Sequence, residues 1–105
     1  MTIVDKAAWQ IDAGIPENLV VNHFKTVFLW LNNHEMLTEE GIEEFEEGID
    51  DCASLNERVL TTEGLAFLEK CYDEYLTVIA KDKYGIDWEG EELEKIYRKY
   101  KEKLK

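Results

Sequence analysis

Apolar residues recur at helical spacing along most of the chain, and the pattern is strongest between residues 16 and 33. Four of them share one helix face, because they fall within about 60° of one another at about 100° per residue. These four are Val20, Phe24, Val27 and Leu31. Further apolar residues between them widen this face to about half the circumference. The pattern predicts a central helix that opens at Pro16 and packs against more than one neighbour.

Two segments carry the same helix-start signal. Thr38 follows a leucine and precedes Gly41 by three positions, and Thr61 and Gly64 repeat this arrangement 23 residues later. A threonine at the cap accepts a hydrogen bond from a backbone N–H in the first helical turn, and the leucine before it can pack on the fourth helical residue. The repeat predicts two helices with the same capping chemistry, and two copies are too few to indicate a solenoid.

Helical periodicity extends through the rest of the chain, and no alternation of period two persists over the length of a strand. The other predicted helices are Thr2–Ala13, Thr38–Asp51, a long helix Thr62–Tyr84 closed by Gly85, and a fifth helix capped by Asp87. Ser54–Val59 is expected to form a short helical turn. The sequence therefore predicts an all-α fold, a compact bundle of about five helices in a single domain over residues 1–105.

One core is expected to unite the second, third and fourth predicted helices. Its predicted members are Phe24, Val27, Leu31, Phe45, Ile49, Leu68, Tyr72, Leu76 and Ile79. On the third helix, the predicted inward face is Ile42, Phe45, Ile49 and Cys52.

The charge balance argues against two classes of binding partner, nucleic acids and anionic membranes. Lys plus Arg number 12 and Asp plus Glu number 24, so the formal net charge is −12. We expect no direct binding of nucleic acid and none of an anionic membrane surface, because both need a basic footprint. The longest apolar run, Val27–Leu31, is far shorter than the roughly twenty residues of a membrane span. The first fifteen residues lack the features of a signal peptide, so a cytoplasmic protein is expected.

Acidic residues are concentrated between Glu35 and Asp51, where nine acids occur without a basic residue. On the predicted third helix, eight of them form two parallel rows, Glu39, Glu43, Glu46 and Asp50 beside Glu40, Glu44, Glu47 and Asp51. Like charges four residues apart cost roughly 0.2–0.5 kcal/mol per pair. The rows therefore predict a surface that meets a basic partner, and the alternative is a face that serves only solubility.

Candidate catalytic and metal-binding residues are sparse. His23 is predicted at the edge of an apolar face and His34 in a loop, and neither belongs to a zinc or di-iron motif. Cys52 and Cys71 lie at apolar positions, which favours two buried free thiols. We expect a protein that is not an enzyme and has no catalytic residues, no metal and no cofactor.

In size, helical content and its acidic helix Thr38–Asp51, the chain resembles the small bacterial immunity proteins, which neutralise nuclease toxins by covering a basic active-site region. The resemblance implies a cytosolic inhibitor of a basic protein that binds through the two acidic rows. One alternative is a phosphate-mimicking phage or plasmid protein that inhibits a host DNA-binding protein. Others are a structural helical scaffold or homodimer domain and a small enzyme.

Overall fold

A computed structural model of the protein describes residues 3–80, 84 and 90–103. Five helices and two strands lie within these residues. In chain order they are β1 (Ile3–Lys6), α1 (Ala7–Asp12), α2 (Glu17–Asn33), α3 (Glu39–Glu47), β2 (Ser54–Asn56), α4 (Thr62–Ile79) and α5 (Glu91–Lys103). The fold is mostly helical, as predicted, but it contains a small sheet, so the prediction of an all-α fold was wrong in this respect.

β1 and β2 form an antiparallel two-stranded sheet. β1 replaces the start of the helix predicted at Thr2–Ala13, and β2 replaces part of the helical turn predicted at Ser54–Val59. Both strands are too short for a period-two pattern to stand out. In addition, the buried residue of β1 is the acidic Asp5, so β1 lacks the apolar inward position that would identify a strand.

α2 and α4 supply most of the core, which confirms their broad apolar faces. The four residues that defined the α2 stripe are fully buried. Leu68, Tyr72 and Ile79 of α4 are also buried, as is Ile49. Phe45 and Leu76 are only partly buried and pack against the edge of the core. The other seven predicted core residues are buried, so the prediction was wrong at these two positions only.

The two predicted helix caps are confirmed. Thr38 Oγ1 accepts a hydrogen bond from the backbone N–H of Gly41 at 3.2 Å, and Thr61 Oγ1 accepts one from Gly64 at 3.1 Å. Each cap therefore satisfies one of the N–H groups that a helix start leaves without a partner. The repeated signal consists of the same local chemistry used twice.

The two cap segments also pair with each other through an isolated antiparallel bridge. The backbone N–H of Thr38 donates to the carbonyl of Val59, and that of Thr61 donates to the carbonyl of Met36, both at 2.9 Å. The repeat thus fixes the start of α3 against the start of α4, which holds the acidic helix in place.

The predicted ends of the fourth and fifth helices differ from the structure or lie outside it. α4 ends at Ile79 rather than continuing to Tyr84. Gly85 and Asp87 lie outside the described residues. Among the helices in the described ranges, none combines the length and the apolar character that crossing a bilayer requires.

Candidate functional site

α3 lies against the body of the protein through a glycine. A Cβ added to Gly41 would overlap the carbonyl oxygen of Val59, so only glycine permits this close approach. The helix is consequently rotated from the predicted orientation. Gly41 is buried and Phe45 partly buried, whereas Ile42 is 36% exposed. The prediction that Ile42 faces the core was therefore wrong.

The acidic helix is shorter than predicted. α3 ends at Glu47, and Gly48 follows with a φ of 110°, a conformation that glycine adopts without strain. Asp50 and Asp51 lie in the turn beyond it and do not continue the helical rows, which corrects their predicted placement. In this turn, Asp50 Oδ1 accepts a hydrogen bond from the backbone N–H of Cys52 at 2.9 Å.

Eight carboxylates nevertheless form one exposed region, which we call the acidic surface. It consists of Glu39, Glu40, Glu43, Glu44, Glu46, Glu47, Asp50 and Asp51, all of them exposed. Six lie on α3, where they span about 12 Å from the helical rise, and two lie in the turn that follows. The structure therefore brings together every residue that the sequence predicted for partner binding.

Little positive charge compensates this surface. Within the described residues, one ion pair reaches it, from Arg58 Nε to Glu40 Oε2 at 3.2 Å. The side chains of Arg58 and Glu40 are 58% and 61% exposed. An ion pair this exposed contributes about 0–1 kcal/mol to the free energy of unfolding. The last turn of α3 contains no basic residue to complement the negative end of the helix dipole.

Two shallow grooves border the acidic surface and share Glu44 as a lining residue. The smaller, of about 190 Å³, is lined by the acidic residues Glu44, Glu47 and Asp50 and by the apolar residues Ile49 and Ala53.

The larger groove, of about 410 Å³, is lined in addition by Lys6 and Arg58. Partial burial raises the pKa of Glu44, and the nearby Glu40 and Asp50 raise it further, although Arg58 opposes them. The charged form of Glu44 is thus less favourable than that of a free glutamate in water.

Cys52 is exposed rather than buried, which corrects its predicted place in the core. The reason is the end of α3 at Gly48, since only a continuous helix would have turned Cys52 inward. The carboxylates of Asp51 and Asp50 raise the pKa of its thiol, so the reactive thiolate is disfavoured. Ligand atoms of these three residues lie within 4.8 Å of one another, but all three are exposed, and such clusters are common without a metal.

A buried polar network was not predicted from the sequence. Asp5, Tyr72 and His23 are each less than 10% exposed, and His23 lies inside the core rather than at the predicted edge. Tyr72 donates to Asp5 Oδ2 at 2.5 Å and lies 2.7 Å from His23 Nε2. Asp5 also accepts hydrogen bonds from the Gln10 side chain and from the backbone N–H of Lys6. The one sequence signal of this network was the acidic Asp5, which directly follows the apolar residues Ile3 and Val4.

A second polar cluster holds α5 against α2. Glu94 Oε1 accepts hydrogen bonds from Trp30 Nε1 at 3.0 Å and from His34 Nε2 at 2.8 Å. Arg98 pairs with its other oxygen at 3.2 Å. Burial alone would raise the pKa of Glu94, but these hydrogen bonds and charges outweigh it, so the pKa is lowered. His34 thus has a structural partner.

We compared the chain with protein-family models, curated proteins and solved structures, and none of them matches it. The acidic surface is the feature on which a functional argument can be built.

Proposed function

We propose that the protein inhibits a basic protein partner by covering it with the acidic surface, as immunity proteins do with nuclease toxins. The observation that carries the proposal is the exposure of eight carboxylates with a single cationic partner among the described residues. In this proposal the protein binds without catalysing a reaction and acts in the cytoplasm. The exposed free thiol of Cys52 is compatible with a reducing compartment.

The acidic surface is costly for the isolated helix, which supports a binding role over a role in solubility alone. Three pairs of glutamates on α3 are four residues apart, Glu39–Glu43, Glu40–Glu44 and Glu43–Glu47. Together they destabilise the helix by about 0.6–1.5 kcal/mol. A surface with both signs of charge interspersed is also soluble and does not carry this cost. A basic partner would instead convert the repulsion into attraction.

The smaller groove supports a protein partner in particular. A lysine or arginine side chain carries an aliphatic stem below a cationic head. Ile49 and Ala53 offer apolar atoms to such a stem, while Glu44 and Glu47 offer carboxylates to the head. The exposed Ile42 adds an apolar contact at the margin of the surface.

The shape of α3 makes regular phosphate mimicry less favourable than this general inhibitory role. Each acidic row has three members on the helix instead of four, because Asp50 and Asp51 lie in the turn. A row of three acids spans about 10 Å along the helix axis, whereas the predicted row of four would span about 16 Å. We retain a basic partner as the target and do not require that it binds DNA.

The test is capture of the partner from the source cells with two matched variants. One variant, Glu39→Gln, Glu43→Gln and Glu46→Gln, neutralises three acids of the acidic surface. The control neutralises three exposed acids elsewhere, Glu69→Gln, Asp73→Asn and Glu102→Gln. Each removes three negative charges, so both have a net charge of −9.

We expect the wild-type protein and the control to capture the same basic protein and to inhibit its activity. The variant of the acidic surface should lose capture while its helical circular dichroism is unchanged. Equal capture by both variants, or equal loss by both, would show that net charge rather than this surface is responsible.

A further inference from the structure

The buried network links three separate elements of the fold. Asp5 belongs to β1, His23 to α2 and Tyr72 to α4, and the three are 6%, 1% and 3% exposed. The tyrosine hydroxyl joins the other two, because it lies within hydrogen-bond distance of both. These contacts attach the short strand β1 to the central helices.

The hydrogen-bond donors around Asp5 determine the tautomer of His23. The side-chain amide of Gln10 and the backbone N–H of Lys6 both donate to Asp5, and Tyr72 donates to the same carboxylate. Because the hydroxyl has a single proton, the Tyr72 oxygen accepts from His23 Nε2, which must therefore carry hydrogen. Nδ1 of the neutral ring then carries a lone pair.

If Nδ1 took up a proton, no group among the described residues would be placed to accept a hydrogen bond from it. This atom is buried and has no hydrogen-bond partner among the described residues. The rings of Tyr84 and Tyr75 stack on His23 at centroid distances of 4.9 and 5.9 Å. The titratable groups that face His23 within the described residues are therefore Tyr72 and Tyr75 from α4, Tyr84, and Asp5 of β1 beyond Tyr72.

We propose that Asp5, Tyr72 and His23 form an acid-sensitive latch, in which proton uptake by His23 releases β1 and the sheet that it forms with β2. A protonated His23 has a second N–H that can find an acceptor only when the elements packed around it separate. This inference concerns the regulation of the fold and does not depend on the proposed function.

β1 is the element expected to move. It has four residues and pairs only with the three-residue β2 within the described chain, whereas α2 and α4 form the core. The side-chain oxygen of Gln10 is also buried without a hydrogen-bond partner among the described residues, which weakens the same region. Release would extend to the turn beside the acidic surface, because the N–H of Ala7 donates to the carbonyl of Ala53 at 2.9 Å.

The pH range follows from the histidine. Burial lowers the pKa of His23 from 6.5 to about 4. The opened state therefore binds a proton as pH falls through 6.5, and the closed state does so only near pH 4, so the latch weakens between these values. At pH 5.5 the titration of His23 should make the closed-to-open ratio about tenfold lower than at pH 7.5. Burial raises the pKa of Asp5, so proton uptake by this carboxyl favours the closed state and opposes the fall. This pH remains above the isoelectric point of about 4.5.

Residue-resolved amide hydrogen exchange, corrected for intrinsic rates, tests the latch. The reporter is the amide of Ala7, and the controls are amides in the middle of α4. We expect the protection of Ala7 to fall about tenfold from pH 7.5 to 5.5 and to stay below that of the α4 controls, which exchange only when the core opens. In His23→Gln, whose amide can still donate to Tyr72 but does not titrate, the fall should disappear.

Three results would overturn the latch. They are constant protection of Ala7 in the wild-type protein, the same fall in His23→Gln, or protection of Ala7 equal to that of the α4 controls, which would show that Ala7 opens only when the whole core unfolds. If His23→Gln does not fold, the NMR titration of the wild-type histidines decides instead. A His23 ring that stays neutral to pH 5.5 in the folded protein supports the latch, and one that titrates near pH 6.5 contradicts it.

Discussion

Reversing one charge in the centre of α3 should stabilise the protein. Glu43 lies four residues from both Glu39 and Glu47 and three residues from Glu40 and Glu46, so it takes part in four like-charge pairs. Its side chain is exposed, and no hydrogen bond or ion pair involves it within the described residues. Glu43→Lys therefore removes repulsion without breaking a contact.

The size of the gain follows from these pairs. Each pair contributes roughly 0.2–0.5 kcal/mol, and reversal replaces a repulsion by an attraction. Allowing for the weaker pairs and for solvent screening, we expect the free energy of unfolding to rise by about 1–2 kcal/mol at low salt. The matched control is Glu69→Lys on α4, which has one acidic neighbour four residues away, Asp73, and should gain less than half as much.

Urea denaturation in low salt and again in about 0.5 M salt measures this effect. The gain should shrink at high salt, because the Debye length falls to a few ångströms. If Glu43→Lys is neutral or destabilising at low salt, or if its gain is independent of salt, the acidic surface is not under electrostatic strain. Electrostatic repulsion on α3 would then no longer favour a binding role over a role in solubility.

Three further predictions concern the elements that position the acidic surface. Gly41→Ala should destabilise the protein by about 1–3 kcal/mol in urea denaturation, because the new methyl group meets the carbonyl of Val59, and an unchanged midpoint would contradict the packing of α3. Phe45→Ala should cost about 1–2 kcal/mol rather than the 3–5 kcal/mol of a fully buried phenylalanine, and a loss in the higher range would place it in the core. Asp51→Asn should speed the alkylation of Cys52 at pH 8 several-fold, because this carboxylate contributes most to the raised pKa of the thiol, and an unchanged rate would contradict that coupling.

The sequence predicted the features that depend on local interactions. The caps at Thr38 and Thr61 were correct, since a cap involves residues only three positions apart. The broad faces of α2 and α4 were correct because their periodicity extends over many turns. The prediction that all eight acids lie on the surface was also correct, because ionised carboxylates are rarely buried unless they are paired.

The errors arose where a tertiary contact overrides the local pattern. Gly41, not a larger apolar residue, faces the core in α3, because the helix approaches the backbone of Val59. The prediction that the acidic rows continue to Asp51 required Gly48 to be helical. Glycine commonly ends a helix, and α3 ends at the residue before it. Asp5 and Tyr72 are 67 residues apart in the chain, so no local pattern could reveal their hydrogen bond.

The central claim is that the acidic surface guides a basic partner into place. The most direct measurement is the association rate constant of the captured partner at low and high salt, for the wild-type protein and the two triple variants. We expect that neutralising Glu39, Glu43 and Glu46 slows association about tenfold or more at low salt and flattens the salt dependence. The control with the same net charge should associate at the wild-type rate. Identical rates and identical salt dependence in the two variants would contradict it.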